Sequence, residues 1–255
     1  MKNTKNSPIE FAIVTPSYNN EYWCSKNLAS ITEQTYPHWH LYYIDDASND
    51  GTGELVDILT QNDAFKGRCT VIHNEKRVGS LENFYHTIHK IEPHKVIVCL
   101  DGDDYFAKPE TLDILAAAYC DSDVWLTYGS FDTEPTFPDI CLNPYSRQVC
   151  ETRAFRSDTF LATHVKTFYA KLFQLIKKED LLLQGQFFPV AGDMAFMFPM
   201  LEMASQGHIQ FIKEILYIYN VSNPLNDWKI ATKACTAAEG YLRKREAYKP
   251  LEKLF

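Results

Sequence analysis

The chain has 255 residues, 45% of them hydrophobic, with 25 basic against 33 acidic side chains for a formal net charge of −8. That length suffices for one large α/β domain with a substantial core, and the acidic balance argues against a nucleic-acid binder, which needs a concentrated basic face. The seven cysteines are scattered and form no CxxC pair, no charged-then-apolar leader opens the chain, and no apolar run nears the ~20 residues of a membrane span, so reduced thiols and a cytoplasmic location are the expectation.

Residues 11–15 read as a first strand, broken by Pro16-Ser17-Tyr18-Asn19-Asn20, and about 22–34 carry Leu28 and Ile31 at helical spacing. A second strand, 41–44, ends at Asp45-Asp46 and leads through Asn49-Asp50-Gly51 to a helix that starts near a Thr52 cap. A third strand at 70–73, a helix over 79–91, a strand over 95–100, a helix over 109–120 and a strand over 124–128 follow. Short apolar runs alternating with amphipathic ones are the signature of βαβ units and a mainly parallel sheet flanked by helices. The stretch 133–145, with Pro135, Pro138 and Pro144, reads as a surface loop. Helical patterning resumes over 165–178 and 193–206, a strand-like run covers 209–219, and a final helix spans 227–248 with Arg243, Lys244 and Arg245 near its end.

The chemistry concentrates where apolar residues 96–100 run into Asp101-Gly102-Asp103-Asp104. Like charges so close raise one another's pKa unless a cation sits among them, and hard oxygen ligands suit Mg2+ or Mn2+, which complete their shells with water and substrate phosphates. A solvated acidic turn with Gly102 as its permissive residue is the plain alternative. Ligands of parallel sheets bind beyond the carboxyl ends of strands, and here three such ends carry polar groups: Ser17 to Asn20, Asp45-Asp46 and Asp101 to Asp104. For Asp45-Asp46 an Asx turn before Ser48 is the competing reading. Lys76 and Arg77 follow the third strand and suit either a diphosphate or open solvent. No GxxxxGK[ST] or GxGxxG stretch occurs, which argues against the common ATPase and dinucleotide sites.

VTPSYNN at 14–20, YIDDASNDGT at 43–52, HNEKRVGS at 73–80 and LDGDD at 100–104, in that order, resemble family-2 glycosyltransferases of the GT-A, Rossmann-like nucleotide-sugar fold. The resemblance implies a single domain, with a nucleotide-sugar half at about 8–130 and an acceptor half at about 131–255. Thr15, Pro16 and Tyr18 would line the base and ribose pocket, Asp46 would meet the uracil, and Arg77, Asp101, Gly102 and Asp103 would lie along the donor. Asp103 and Asp104 would hold Mn2+ or Mg2+, and Asp193, ahead of an apolar helix, would be the base that takes the acceptor's proton. Many relatives place an Arg and a His after the last strand, where this chain has Asn220 and Ser222, leaving Asn223, Asp227 or water as third metal ligand. HVKTFYAKLF at 164–173 and YNVSNPLND at 219–227 resemble a bacterial and viral subgroup, in which Thr167 and Tyr169 would face the pyrophosphate or acceptor, while Phe168, Leu172 and Phe173 read more simply as the core stripe of a helix. The activity implied is inverting transfer from a UDP-sugar to a hydroxyl on a glycan, lipid-linked or protein acceptor, with peripheral membrane contact through Arg243 to Arg245 weighed against simple packing of that helix. A sugar nucleotidyltransferase and a non-catalytic nucleotide-sugar binder are the other classes open.

Overall fold

The computed structural model describes residues 7–136 and 143–255. The main sheet has seven strands, in the spatial order Ile209–Ile212, Leu126–Gly129, Thr167–Tyr169, Val96–Cys99, Phe11–Ser17, Trp39–Asp45 and Cys69–His73. The strands and helices of the first half are β1 (Phe11–Ser17), α1 (Glu21–Thr32), β2 (Trp39–Asp45), α2 (Thr52–Leu59), β3 (Cys69–His73), α3 (Ser80–Ile88), β4 (Val96–Cys99), β5 (Tyr105–Phe106), α4 (Thr111–Tyr119), β6 (Leu126–Gly129) and β7 (Asp132–Glu134). The second half adds α5 (Arg147–Thr152), β8 (Thr167–Tyr169), α6 (Ala170–Gln174), the ribbon β9 (Leu182–Leu183) and β10 (Gln186–Phe187), and α7 (Gly192–Met203). It closes with β11 (Ile209–Ile212), β12 (Tyr217–Asn220), α8 (Asp227–Ile230) and α9 (Thr232–Leu242).

Alternation along the central strands builds a core on each face of the sheet. Phe11, Ile13, Val96 and Val98 point to the side covered by Leu28 and Ile31 of α1, Val56 of α2 and Leu112 and Leu115 of α4. Ala12, Val14, Ile97 and Cys99 point to the opposite side, where Phe84 of α3, Leu172 of α6, Leu242 of α9 and most of α7 pack. Every residue of α7 from Met194 to Met203 is buried, including Glu202, which Arg156 meets with two guanidinium nitrogens at 2.6 and 3.0 Å.

Four differences from the sequence expectations have physical causes. β1 continues through Pro16 and Ser17 rather than breaking at Pro16, because only the missing N–H is lost and the Pro16 carbonyl still accepts from Gly102 N at 3.1 Å. The segment expected as helix from 165 begins as β8, the one antiparallel strand of the main sheet, inserted between β4 and β6. Phe168 is buried there against Phe173 of α6 and Phe196 of α7, so the apolar run reports a covered central strand and only then a short helix. The run 209–219 is two strands, β11 at the edge of the main sheet and β12 in a small sheet of order β5-β12-β7. The final helix is split at Ala231 and ends at Leu242, so the arginines beyond it act as staples: Arg243 donates to the carbonyls of Arg156 and Asp158, and Arg245 to Asp180 Oδ1 at 2.6 Å. Of the loop expected at 133–145, β7 takes the beginning, and residues 137–142, with Pro138, lie outside the described residues. No helix among the described residues is long and apolar enough to cross a membrane.

Candidate active site

The three loops after β1, β2 and β4 are tied to one another by hydrogen bonds. Asn19 N donates to Ser48 Oγ at 2.9 Å, Asn20 N to Thr52 Oγ1 at 2.8 Å, and Asp46 N to the Ser17 carbonyl at 2.8 Å. Asn27 of α1 holds the acidic turn by donating to the carbonyls of Asp101 (3.0 Å) and Asp104 (2.8 Å). Gly102 is pressed onto Ser17 so closely that an added Cβ would lie 2.5 Å from the Ser17 side chain. Its place is therefore a packing requirement, and it does not line the cleft where the resemblance put it along the donor.

Beyond these loops lies a cleft of about 460 Å³. Pro16, Tyr18, Asp46, Arg77, Asp101, Asp103 and Asp193 all line it, so residues from both halves of the chain share one hollow. Arg77 lies 4.0 Å over the Tyr18 ring. Thr15, expected in the base pocket, is fully buried in β1 and is not among the residues that line the cleft. Asp46 uses both carboxylate oxygens to order the loop ahead of α3, accepting from Asn74 Nδ2 at 2.8 Å, Val78 N at 3.0 Å and Gly79 N at 2.8 Å. The turn before Ser48 belongs to Asp45, whose Oδ1 accepts from Ser48 N.

The four residues of the acidic turn divide by depth. Asp104 is fully buried, accepting from Tyr217 OH at 2.5 Å and Asn220 N at 2.7 Å, and it does not line the cleft. Of the two residues expected on a metal, Asp103 lines the cleft and Asp104 is fully buried. Asp103 accepts from Asn223 Nδ2 at 2.7 Å, and burial pushes its carboxyl up to about 6. Burial also raises Asp101, with Asp193 adding to the effect and Lys166 opposing it, and it raises Asp104 well above the usual carboxylate range. Crowded, desolvated carboxylates of this kind are the setting in which a divalent cation is most stabilising. Asp101 and Asp103, both on the cleft, offer the hard oxygens that Mn2+ or Mg2+ takes. A second grouping, Asp101, Asp104 and His164, brings one ligand atom of each within 4.8 Å. Asn223 lines the cleft, its Oδ1 accepting from Leu225 N and its Nδ2 donating to Asp103.

Asp193 sits in the first turn of α7, after Ala191, whose φ of 54° turns the chain into the helix. Its Oδ1 accepts from its neighbour Met194 N. The cap position belongs to Ala191, and Asp193 is the acidic residue of the first turn.

Thr167 and Tyr169 face away from the cleft: Thr167 bonds Tyr119 and Thr127 inside the core, and Tyr169 packs on Tyr119 and Phe255. His164 and Lys166, in the bend that leads into β8, line the cleft instead. HVKTF has no strict polar-apolar alternation that marks a strand, and the helical reading from 165 hid the two residues. Trp228, 53% exposed, lines the rim and donates to Tyr219 OH.

The model of the family described as "Glycosyl transferase family 2" matches residues 12–202. Over 225 residues the chain is 28% identical to glycosyltransferase GlyG of Streptococcus pneumoniae serotype 4, covering 82% of this chain and 69% of GlyG. Over 121 residues it is 28% identical to WfgD of Escherichia coli, a UDP-Glc:alpha-D-GlcNAc-diphosphoundecaprenol beta-1,3-glucosyltransferase, covering 48% of this chain and 45% of WfgD. Among solved structures, Staphylococcus aureus TarS 1-349 in complex with UDP-GlcNAc has a TM-score of 0.63 at 16% identity, covering 83% of this chain and 58% of the TarS chain. The chain thus spans less than half the length of WfgD, and the likeness to TarS is one of fold.

Proposed function

The chain belongs to glycosyl transferase family 2, and from that premise we propose that it moves a sugar from a UDP-sugar to a hydroxyl of a glycan or lipid-linked acceptor in polysaccharide synthesis, with inversion at the anomeric carbon. The observation that carries the reading is the shared cleft, which joins Asp46 and the Asp101 to Asp103 turn of the nucleotide side to Asp193 of the acceptor side. UDP-sugars are named in WfgD and in the TarS complex, and WfgD's name includes a lipid-linked acceptor.

In this reading Tyr18 and Arg77 flank the nucleoside and Asp46 orders the loop beneath it. Asp103 and Asp101 would hold Mn2+ or Mg2+, which when bound supplies Lewis-acid stabilisation to the departing diphosphate. Asp104 does not touch substrate; it sets the turn by accepting from Tyr217 and Asn220. Asp193 takes the acceptor hydroxyl's proton as the oxygen closes on the anomeric carbon, since a neutral hydroxyl is a poor nucleophile.

Transfer from UDP-glucose and UDP-GlcNAc, assayed with Mn2+ over a panel of glycan and lipid-linked acceptors, tests the reading. Asp193→Asn should lower kcat by about 10²–10⁴-fold while UDP binding, measured by calorimetry, stays as in the parent. Full transfer by this variant would remove Asp193 from the mechanism.

A further inference from the structure

We propose that Lys166 is a fixed cation that receives the diphosphate of the donor, and that His164 is its positioning residue. The proposal rests on the sugar-nucleotide reading above and adds a residue to it. Lys166 is only 4% exposed, yet it lines the cleft. Its side chain has a single hydrogen-bond partner among the described residues, His164 Nδ1 at 3.4 Å. It enters none of the ion pairs found among those residues. An ammonium taken out of water without an anion in contact is costly, and an anionic ligand that reaches it recovers that cost in a low-dielectric setting.

The charge balance of the cleft points the same way. Asp46, Asp101, Asp103, Asp193 and Asp227 line it, and a diphosphate brought among them meets repulsion unless cations are aimed at it. Arg77 is held over Tyr18, on the side of the β1 loop, whereas Lys166 arises from the segment entering β8, next to β4 and its acidic turn. The backbone of Lys166 is pinned because its carbonyl accepts from Cys99 N at 3.0 Å. The His164 ring stacks on Tyr217 and Tyr219, with centroids 4.4 and 5.4 Å apart, which restrains it from swinging away. An ammonium has only donors, so His164 must offer the Nδ1 lone pair to it. Burial and the neighbouring Lys166 hold the imidazole well below its ordinary pKa, in the neutral form that can accept. A neutral imidazole has one lone-pair nitrogen, so a ring that accepts from Lys166 has none left for a metal in the group with Asp101 and Asp104.

Calorimetry with uridine, UDP and inorganic pyrophosphate in the presence of EDTA tests this on the whole chain. Lys166→Met is expected to weaken UDP by about tenfold or more and to leave uridine unchanged, with Lys166→Arg retaining part of the difference. His164→Asn should weaken UDP in the same direction while Mn2+ affinity, read by competition without nucleotide, stays as in the parent. The proposal is overturned where Lys166→Met changes neither ligand or both alike, or where His164→Asn loses Mn2+ and keeps UDP in EDTA. Should Lys166→Met not fold, pyrophosphate must still raise the parent's melting temperature in EDTA and Lys166→Arg must reduce that rise; no rise overturns it too. A parent chain that binds neither uridine nor UDP is a different outcome, and it removes the donor reading on which the proposal stands.

Discussion

At the scale of single residues, the site is defined by what each carboxylate has for neighbours. Asp103 has a folded-state value of about 6 against an ordinary 3.8, so the folded chain holds the proton more tightly than the unfolded one. The stability this contributes is present below 3.8 and is lost as pH rises through about 6, a swing of about 3 kcal/mol at most. Chemical denaturation of the metal-free protein at pH 4 and pH 7 should therefore show Asp103→Asn gaining on the parent as pH rises; an equal offset at both pH values would show that Asp103 is not desolvated as described. Gly102 has a different kind of constraint. Gly102→Ala forces a methyl into Ser17, which overpacks the junction of two strand ends and should cost about 1–3 kcal/mol, seen as a lowered melting temperature.

At the scale of elements, β8 and α7 carry the second half of the chain to the strand ends of the first. β8 pairs with β4 and β6 at once, so the strand that brings His164 and Lys166 is flanked on both edges. α7 brings Asp193 to the cleft while its far end buries Glu202 against Arg156. Arg156→Ala leaves that carboxylate buried with the Tyr248 N–H as its one hydrogen-bond donor among the described residues, and unfolding in urea should show a loss of about 3–5 kcal/mol. A loss within experimental error would mean that Glu202 takes up its proton at little cost, as burial already favours.

For the whole molecule, the C-terminal segment decides between a packed tail and a membrane-facing one. Arg245 donates to the Glu179 carbonyl, Asp180 Oδ1 and the Leu182 carbonyl, and Arg153 donates to the Tyr248 carbonyl. Arg245→Ala is expected to lower the melting temperature and to leave sedimentation with phosphatidylserine vesicles unchanged. Lost vesicle binding at unchanged stability would return the arginine to the membrane reading.

The sequence by itself determined the order of strands and helices through β6 apart from the two-residue β5, the gathering of polar groups at three strand ends and the family, because apolar periodicity, turn chemistry and short motifs are local along the chain. It also singled out Asp46, Asp101, Asp103, Asp193 and Arg77, all of which line the cleft. What it did not contain was depth. Asp103 and Asp104 are adjacent and chemically alike, yet one faces the cleft and the other is sealed by Tyr217 and Asn220. Likewise His164 and Lys166 reach the site only because residues 167–169 pair between two distant strands, since which face of a short apolar run meets a ligand is set by its tertiary neighbours and not by its own pattern.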